Sequence, residues 1–109
     1  MLERCRRITR FISPGREMFF ASEELQDAVI RNIEVIGEAA KRVSPEVRSR
    51  LAQLDWKRIC GMRDVLIHDY IGVDLEGVWN VASTRIPELQ AVLEEHLAQN
   101  ASEGSRPVS

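Results

Sequence analysis

Apolar residues recur every three or four positions along most of this chain, and this spacing constrains its fold more than any other feature. The first segment places Leu2, Cys5, Ile8 and Ile12 at such intervals, with arginines between them. This spacing puts side chains on one face of an α-helix, whereas a half-buried strand alternates at every second residue. No strand pattern and no internal repeat is present, so the sequence predicts an all-α bundle of about five helices.

Capping residues and helix breakers divide this pattern. The first helix is expected to end at Ser13-Pro14-Gly15, and a short third helix to run over residues 45–53. Four residues of the types that cap helices precede the later helices: Ser22, Ser44, Asp55 and Asp74. Gly37 lies inside the long second helix, where we expect it to let another helix approach closely. Pro87 lies inside the apolar pattern of the last helix and is expected to kink it near residues 83–86.

Length and composition indicate a single soluble domain. The chain has 109 residues, 44% of them apolar, and we assign residues 1–99 to the helical domain and 100–109 to a disordered tail. A net charge of −2 argues against binding to bulk DNA. The isolated Cys5 and Cys60 are expected to be free thiols. No apolar run is long enough to span a membrane and no signal peptide is evident, so we expect a cytoplasmic protein.

Arg63, His68 and Tyr70 form the most informative local motif. Arginine is a permanent cation suited to phosphate, and histidine exchanges protons near neutral pH. Two copies of the motif facing each other across a two-fold axis would place two arginines and two histidines around one phosphate. From spacing alone, purely structural roles are also open: Arg63 capping carbonyls, His68 at a helix C-terminus and Tyr70 in the core.

Three further polar residues accompany the motif as candidates. Asp64 lies one turn before His68, but no further His or Cys has metal-ligand spacing, so no metal site is expected. Asn32 falls on the apolar side of the second helix, which indicates a buried hydrogen bond or a role facing a site. Glu38 lies one turn after Glu34; paired carboxylates can do acid–base work, although a solvated pair is the simpler interpretation.

Long segments of the chain resemble HepT-like proteins, a branch of the HEPN domain superfamily. The resemblance covers residues 26–42, 55–70 and 71–79 in the family's order. It implies a homodimeric α-helical bundle in which the Arg-x4-His-x-Tyr motif lines a cleft at the dimer interface. It further implies a metal-independent endoribonuclease without a cofactor, acting on RNA as the toxin of a type II toxin–antitoxin system.

The resemblance also assigns roles to individual residues. Arg63 and His68 match the family's catalytic pair, and Tyr70 matches the tyrosine that accepts AMP from ATP. The enzyme that transfers AMP is the antitoxin, a minimal nucleotidyltransferase. We take Asp64, Asn32 and Glu38 as supporting residues.

The chain departs from the family at two places. Asp64 stands where the family most often has Asn, and a carboxylate beside Arg63 would weaken phosphate binding. The first helix is also shorter than usual in the family. An alternative is therefore a non-catalytic helical dimer that binds the nucleotidyltransferase, with Tyr70 only an acceptor. A third hypothesis is a nucleotide-binding helical module without a toxin role.

Overall fold

The computed structural model describes residues 1–62 and 74–104, and the regular structure in these ranges is helical throughout, which confirms the all-α class. The helices are α1 (Leu2–Ile12), α2 (Arg16–Ala21), α3 (Glu23–Lys41), α4 (Pro45–Arg50), α5 (Trp56–Cys60), α6 (Leu75–Asn80) and α7 (Ile86–Gly104). A π-helical turn, Val81–Arg85, joins α6 and α7 into one continuous run. Counted this way, the described residues contain six helical segments, against the five predicted.

All four predicted caps are confirmed. Each cap's side-chain oxygen accepts a hydrogen bond from a backbone N–H three residues later, which satisfies one of the donors that a helix start leaves open. The donors are Leu25 to Ser22, Val47 to Ser44, Arg58 to Asp55 and Gly77 to Asp74, at 3.1 to 3.3 Å.

The additional segment is α2, which the sequence pattern did not predict. It is short, and it follows Gly15, whose φ of +106° is a conformation that only glycine adopts readily. Phe19 is fully buried and meets the rings of Phe20 and Trp79 at centroid distances of 5.2 and 5.4 Å. The long-range contact of Phe19 with Trp79 therefore holds α2 in place, rather than a repeating apolar stripe.

The helical run that contains Pro87 departs from a regular α-helix close to where the sequence predicted a kink. Pro87 does not end the helix; the irregular part is the π turn, which ends two residues before it. Proline lacks the N–H that would bond to the carbonyl four residues earlier, and a π turn is one way for a helix to absorb the missing bond. The helix then continues to Gly104.

The core lies where α1, α3 and the α6–α7 run meet. Its fully buried members come from these three elements and, with Phe19, from α2: Cys5, Ile8, Phe19, Val29, Ile33, Ile36, Ala40, Val78, Ala82 and Ile86. Within the described ranges, no helix has the length and apolar character needed to cross a bilayer.

Candidate functional site

The predicted motif residues Arg63, Asp64, His68 and Tyr70 lie outside the described residues. Both of the segment's described neighbours have defined positions. Met62 is buried, with 5% of its surface exposed, and Asp74 caps α6. The described fold therefore fixes the two points, Met62 after α5 and Asp74 before α6, between which the chain passes through the motif.

The helix before the motif, α5, packs on α3 at Gly37. A Cβ atom built on Gly37 would lie 3.6 Å from the carbonyl oxygens of both Ile59 and Cys60. The backbone of α5 thus lies close to α3 at Gly37, as predicted, although the space there would also admit the methyl group of an alanine.

A second contact ties α4 to both of these helices through Arg48. Its guanidinium donates to the carbonyl of Ala40 at 2.8 Å and contacts the sulfur of Cys60 at 3.6 Å. It also lies 5.5 Å from the centre of the Trp56 ring, a cation–π distance. We call these contacts the Arg48 clamp; they join the C-terminal ends of α3 and α5.

Trp56 anchors the beginning of α5. Its indole N–H donates to the carbonyl of Leu51 at 3.1 Å, across the turn that separates α4 from α5. With Asp55 capping the same helix, α5 is held at its start by two polar contacts and at its end by Arg48. Such directional bonds fix the orientation of a short helix that buries little apolar surface of its own.

A cavity of about 500 Å³ opens between α5 and the π turn. Its apolar wall comes from buried side chains: Leu54, Ile59, Met62, Val81 and Leu89. Three cations line it as well, Lys57 and Arg58 on α5 and Arg85 on the π turn, together with the carboxylates of Asp55 and Glu88. Since Met62 precedes Arg63 in the chain, this cavity adjoins the start of the predicted catalytic segment.

The two supporting candidates on α3 have separate environments. Asn32 is 5% exposed; its amide donates to the carbonyl of Ala28 at 2.7 Å and accepts from Arg4 at 3.3 Å. This is the buried hydrogen bond that its position predicted, and it links α1 to α3. Glu38 is exposed and pairs with Lys41 at 3.2 Å. Six residues along a helix separate their directions by about 120°, so the structure does not bring them together.

The two thiols also differ. Cys5 is fully buried in α1, and burial raises the pKa of its thiol to about 11. Cys60 is partly exposed beside the Arg48 clamp. Among the described residues, no three His, Cys, Asp or Glu side chains converge as metal ligands would.

Sequence reasoning missed Arg48 and Arg85. The partners of Arg48 lie eight and twelve residues away, on two other helices, so no local spacing indicates the contact. Arg85 stands on a π turn, which shifts side chains out of the ordinary helical register. The one available signal was Pro87, which marked this part of the helix as irregular.

The chain is similar in sequence to one protein family and to several named proteins. The sequence profile of the family described as Ribonuclease HepT-like matches residues 1–96. The Methanocaldococcus jannaschii protein named Gamma-glutamylcyclotransferase and putative RNase MJ0434 is 50% identical over 72 residues, 66% of this chain and 32% of that protein. Putative RNase MJ0125 of the same organism is 42% identical over 79 residues, 72% of this chain and 68% of that protein.

A third relative extends the comparison to another genus. The Thermococcus cleftensis protein named Probable ribonuclease HepT is 37% identical over 79 residues, 72% of each chain. The chain thus spans about a third of the first of these relatives and about seven-tenths of the other two. No solved structure matches the chain.

Proposed function

Since the chain belongs to the ribonuclease HepT-like family, we propose that it is a metal-independent RNA endonuclease that acts as the toxin of a type II toxin–antitoxin system. The observation that carries the proposal is the sequence Arg63-x4-His68-x-Tyr70, placed within a family match that covers residues 1–96. The ribonuclease names of the relatives support the reaction class.

The reaction follows from the chemistry of the two catalytic residues. One His68 takes the proton of a ribose 2′-OH, and the 2′-oxygen attacks the adjacent phosphorus. Arg63 stabilises the charge that develops on the phosphorane. The bond to the 5′-oxygen then breaks, and an imidazolium supplies its proton. The products are a 2′,3′-cyclic phosphate and a 5′-OH end.

A homodimer provides the second histidine that this reaction uses. Each chain carries one copy of the motif, so two protomers related by a two-fold axis present two Arg63 and two His68 side chains to one phosphate. The helix that precedes the motif in the chain, α5, is itself held by polar contacts at both of its ends.

Tyr70 is the point of control. Its phenol oxygen attacks the α-phosphorus of ATP in the active site of the partner nucleotidyltransferase, and pyrophosphate leaves. The tyrosine then carries AMP, which brings a negative charge and a large group two residues from His68. This blocks the phosphate pocket by charge and by volume.

Asp64 favours a second candidate function. A carboxylate next to Arg63 lowers the local positive potential that binds phosphate, so the chain would serve as a non-catalytic dimer that binds the nucleotidyltransferase. The variant Asp64→Asn distinguishes the two functions. Cleavage by this variant but not by the wild type would show that the Asp64 carboxylate suppresses the activity.

The test is an RNA cleavage assay in EDTA with analysis of the product ends. We expect cleavage by the unmodified protein and none by His68→Ala or Arg63→Ala. The matched control is His96→Ala, which replaces the only other histidine of the chain and should retain activity. Co-expression with the nucleotidyltransferase should add an adenylyl group, the mass of AMP less one water, to the Tyr70 peptide, and Tyr70→Phe should prevent it. Activity that requires Mg²⁺, or that survives both catalytic substitutions, would contradict the proposal.

A further inference from the structure

The cavity between α5 and the π turn has the size and the composition of a ligand site. Its volume of about 500 Å³ lies within the range of about 300–1,000 Å³ that small-molecule sites occupy. Its exposed wall is mostly apolar, and five charged side chains lie around it. An apolar surface with a few placed charges suits a flat ring that carries an anionic group beside it.

The backbone conformation at Arg85 is the second unusual feature of the cavity. Residues Val81–Arg85 form a π turn, a conformation that is rare and concentrated at functional sites. Arg85 is partly buried, whereas Lys57 and Arg58 on the opposite wall are exposed. None of the ion pairs formed among residues 1–62 and 74–99 involves these three cations.

The charges at the cavity favour an anion over a cation. Three cations and two carboxylates line it, and the Asp55 carboxylate already accepts the backbone N–H of Arg58. The guanidinium of Arg85 presents a planar set of donors that fits phosphate oxygens. Glu88, one turn further along, remains as an acceptor for amino groups such as those of nucleobases.

We propose that this cavity is a subsite for one nucleotide of the RNA substrate, with the base against the apolar wall and its phosphate on Arg85. The inference rests on the proposed function and deepens it. Its position supports it, because Met62 lines the cavity and Arg63 follows in the chain. In this role the cavity would hold the strand next to the cleaved phosphate, and its lining residues differ from those assigned to proton transfer.

A binding measurement with RNA that cannot be cleaved tests this directly. A fluorescent 2′-O-methyl oligonucleotide lacks the attacking hydroxyl, so its Kd reports binding alone. We expect Arg85→Gln to weaken binding about tenfold. In a plot of log K against log salt concentration, the magnitude of the slope should be about 0.7 smaller for Arg85→Gln than for the wild type, because one phosphate fewer is neutralised on a single strand. Arg85→Lys, which keeps the charge, should recover most of the slope.

Arg10→Gln is the matched control. Arg10 is an exposed arginine on α1, away from the cavity lining, and its replacement should leave both Kd and slope close to the wild-type values. Placing an abasic nucleotide at successive positions of the oligonucleotide tests the apolar wall without altering the protein. We expect one position at which removal of the base weakens binding to the wild type.

The outcomes separate the subsite from the catalytic proposal. Wild-type cleavage together with an unchanged Kd and slope in Arg85→Gln would overturn the subsite and leave the ribonuclease proposal standing. An Arg85 effect on binding without any cleavage would support the subsite and overturn the ribonuclease proposal. If the wild type binds no oligonucleotide, or if Arg85→Gln changes the mass of the protein in light scattering instead of its RNA affinity, the subsite is wrong.

Discussion

Helices α1 and α3 are held together by different forces from helices α4 and α5. The first pair meets through fully buried apolar side chains such as Ile8, Ile33 and Ile36. The helix α4 has no buried residue and α5 has one. They are positioned instead by hydrogen bonds that Arg48 and Trp56 donate, and by the Asp55 carboxylate, which accepts a backbone N–H of α5. We call α1 and α3 the hydrophobic scaffold, and α4 and α5 with their hydrogen bonds the polar support.

The comparison bears on function because the predicted catalytic segment follows α5. Apolar burial is strong but not directional, whereas hydrogen bonds are individually modest and sensitive to distance and angle. Stability should therefore depend mainly on the first pair of helices, and the position of α5, which precedes the predicted catalytic segment, on the polar contacts of the second pair. Four substitutions test this division.

Ile33→Ala should have the largest effect. Ile33 is fully buried in α3, and truncation of such a side chain costs about 2–5 kcal/mol, through reduced burial and a cavity. Urea denaturation followed by circular dichroism measures the change. Arg31→Ala is the control on the same helix, since the side chain is 73% exposed and its ion pair with Glu34 contributes little. Equal effects of the two variants would show that α3 is not the central element of the core.

The buried thiol in α1 makes the first region sensitive to high pH. Burial raises the pKa of Cys5 from 9.0 to about 11, so the folded chain holds this proton more tightly than the unfolded chain does. This contribution to the unfolding free energy, on the order of 3 kcal/mol, is complete below pH 9 and is lost as the pH rises towards 11. Unfolding free energies of wild type and Cys5→Ala should diverge in their pH slopes only above pH 9. Parallel slopes would contradict the burial of this thiol.

The two regions also differ in how far the sequence predicted them. Apolar spacing located α1 and α3, and cap residues such as Ser22 and Asp55 located helix starts, because both signals are local. The Arg48 clamp and the cavity at Arg85 were not predictable, because they depend on side chains and backbone atoms brought together from distant positions. The motif around Arg63 was identified from residue types and resemblance, and its geometry is outside the described residues.

Arg48→Met tests the polar support. Methionine keeps much of the side-chain length but removes the bond to Ala40 and the cation over Trp56, so we expect a destabilisation of about 1–2 kcal/mol. The effect is limited because the Ala40 carbonyl also accepts the N–H of Val43 at 3.2 Å. Amide exchange should accelerate at Ile59 in α5 more than at Ile33 in α3.

Arg50→Met provides the control for this prediction. Arg50 is an exposed residue of the same helix, and its replacement should change neither stability nor exchange in α5 by a comparable amount. Similar effects of both arginines would indicate that net charge, and not the clamp, supports α5.

Gly37→Ala should have the smallest effect and the opposite sign. An added Cβ would lie 3.6 Å from the carbonyl oxygens of Ile59 and Cys60, an ordinary van der Waals contact, so α5 need not move. Alanine is favoured over glycine inside a helix by about 1 kcal/mol, and we expect a gain in unfolding free energy of up to that amount. Gly37→Leu is the contrasting variant, because its longer side chain would have to displace the backbone of α5. If Gly37→Ala instead destabilised the protein, the added Cβ would be displacing α5. The close backbone contact with α3 would then constrain the position of α5 more than the Arg48 clamp does.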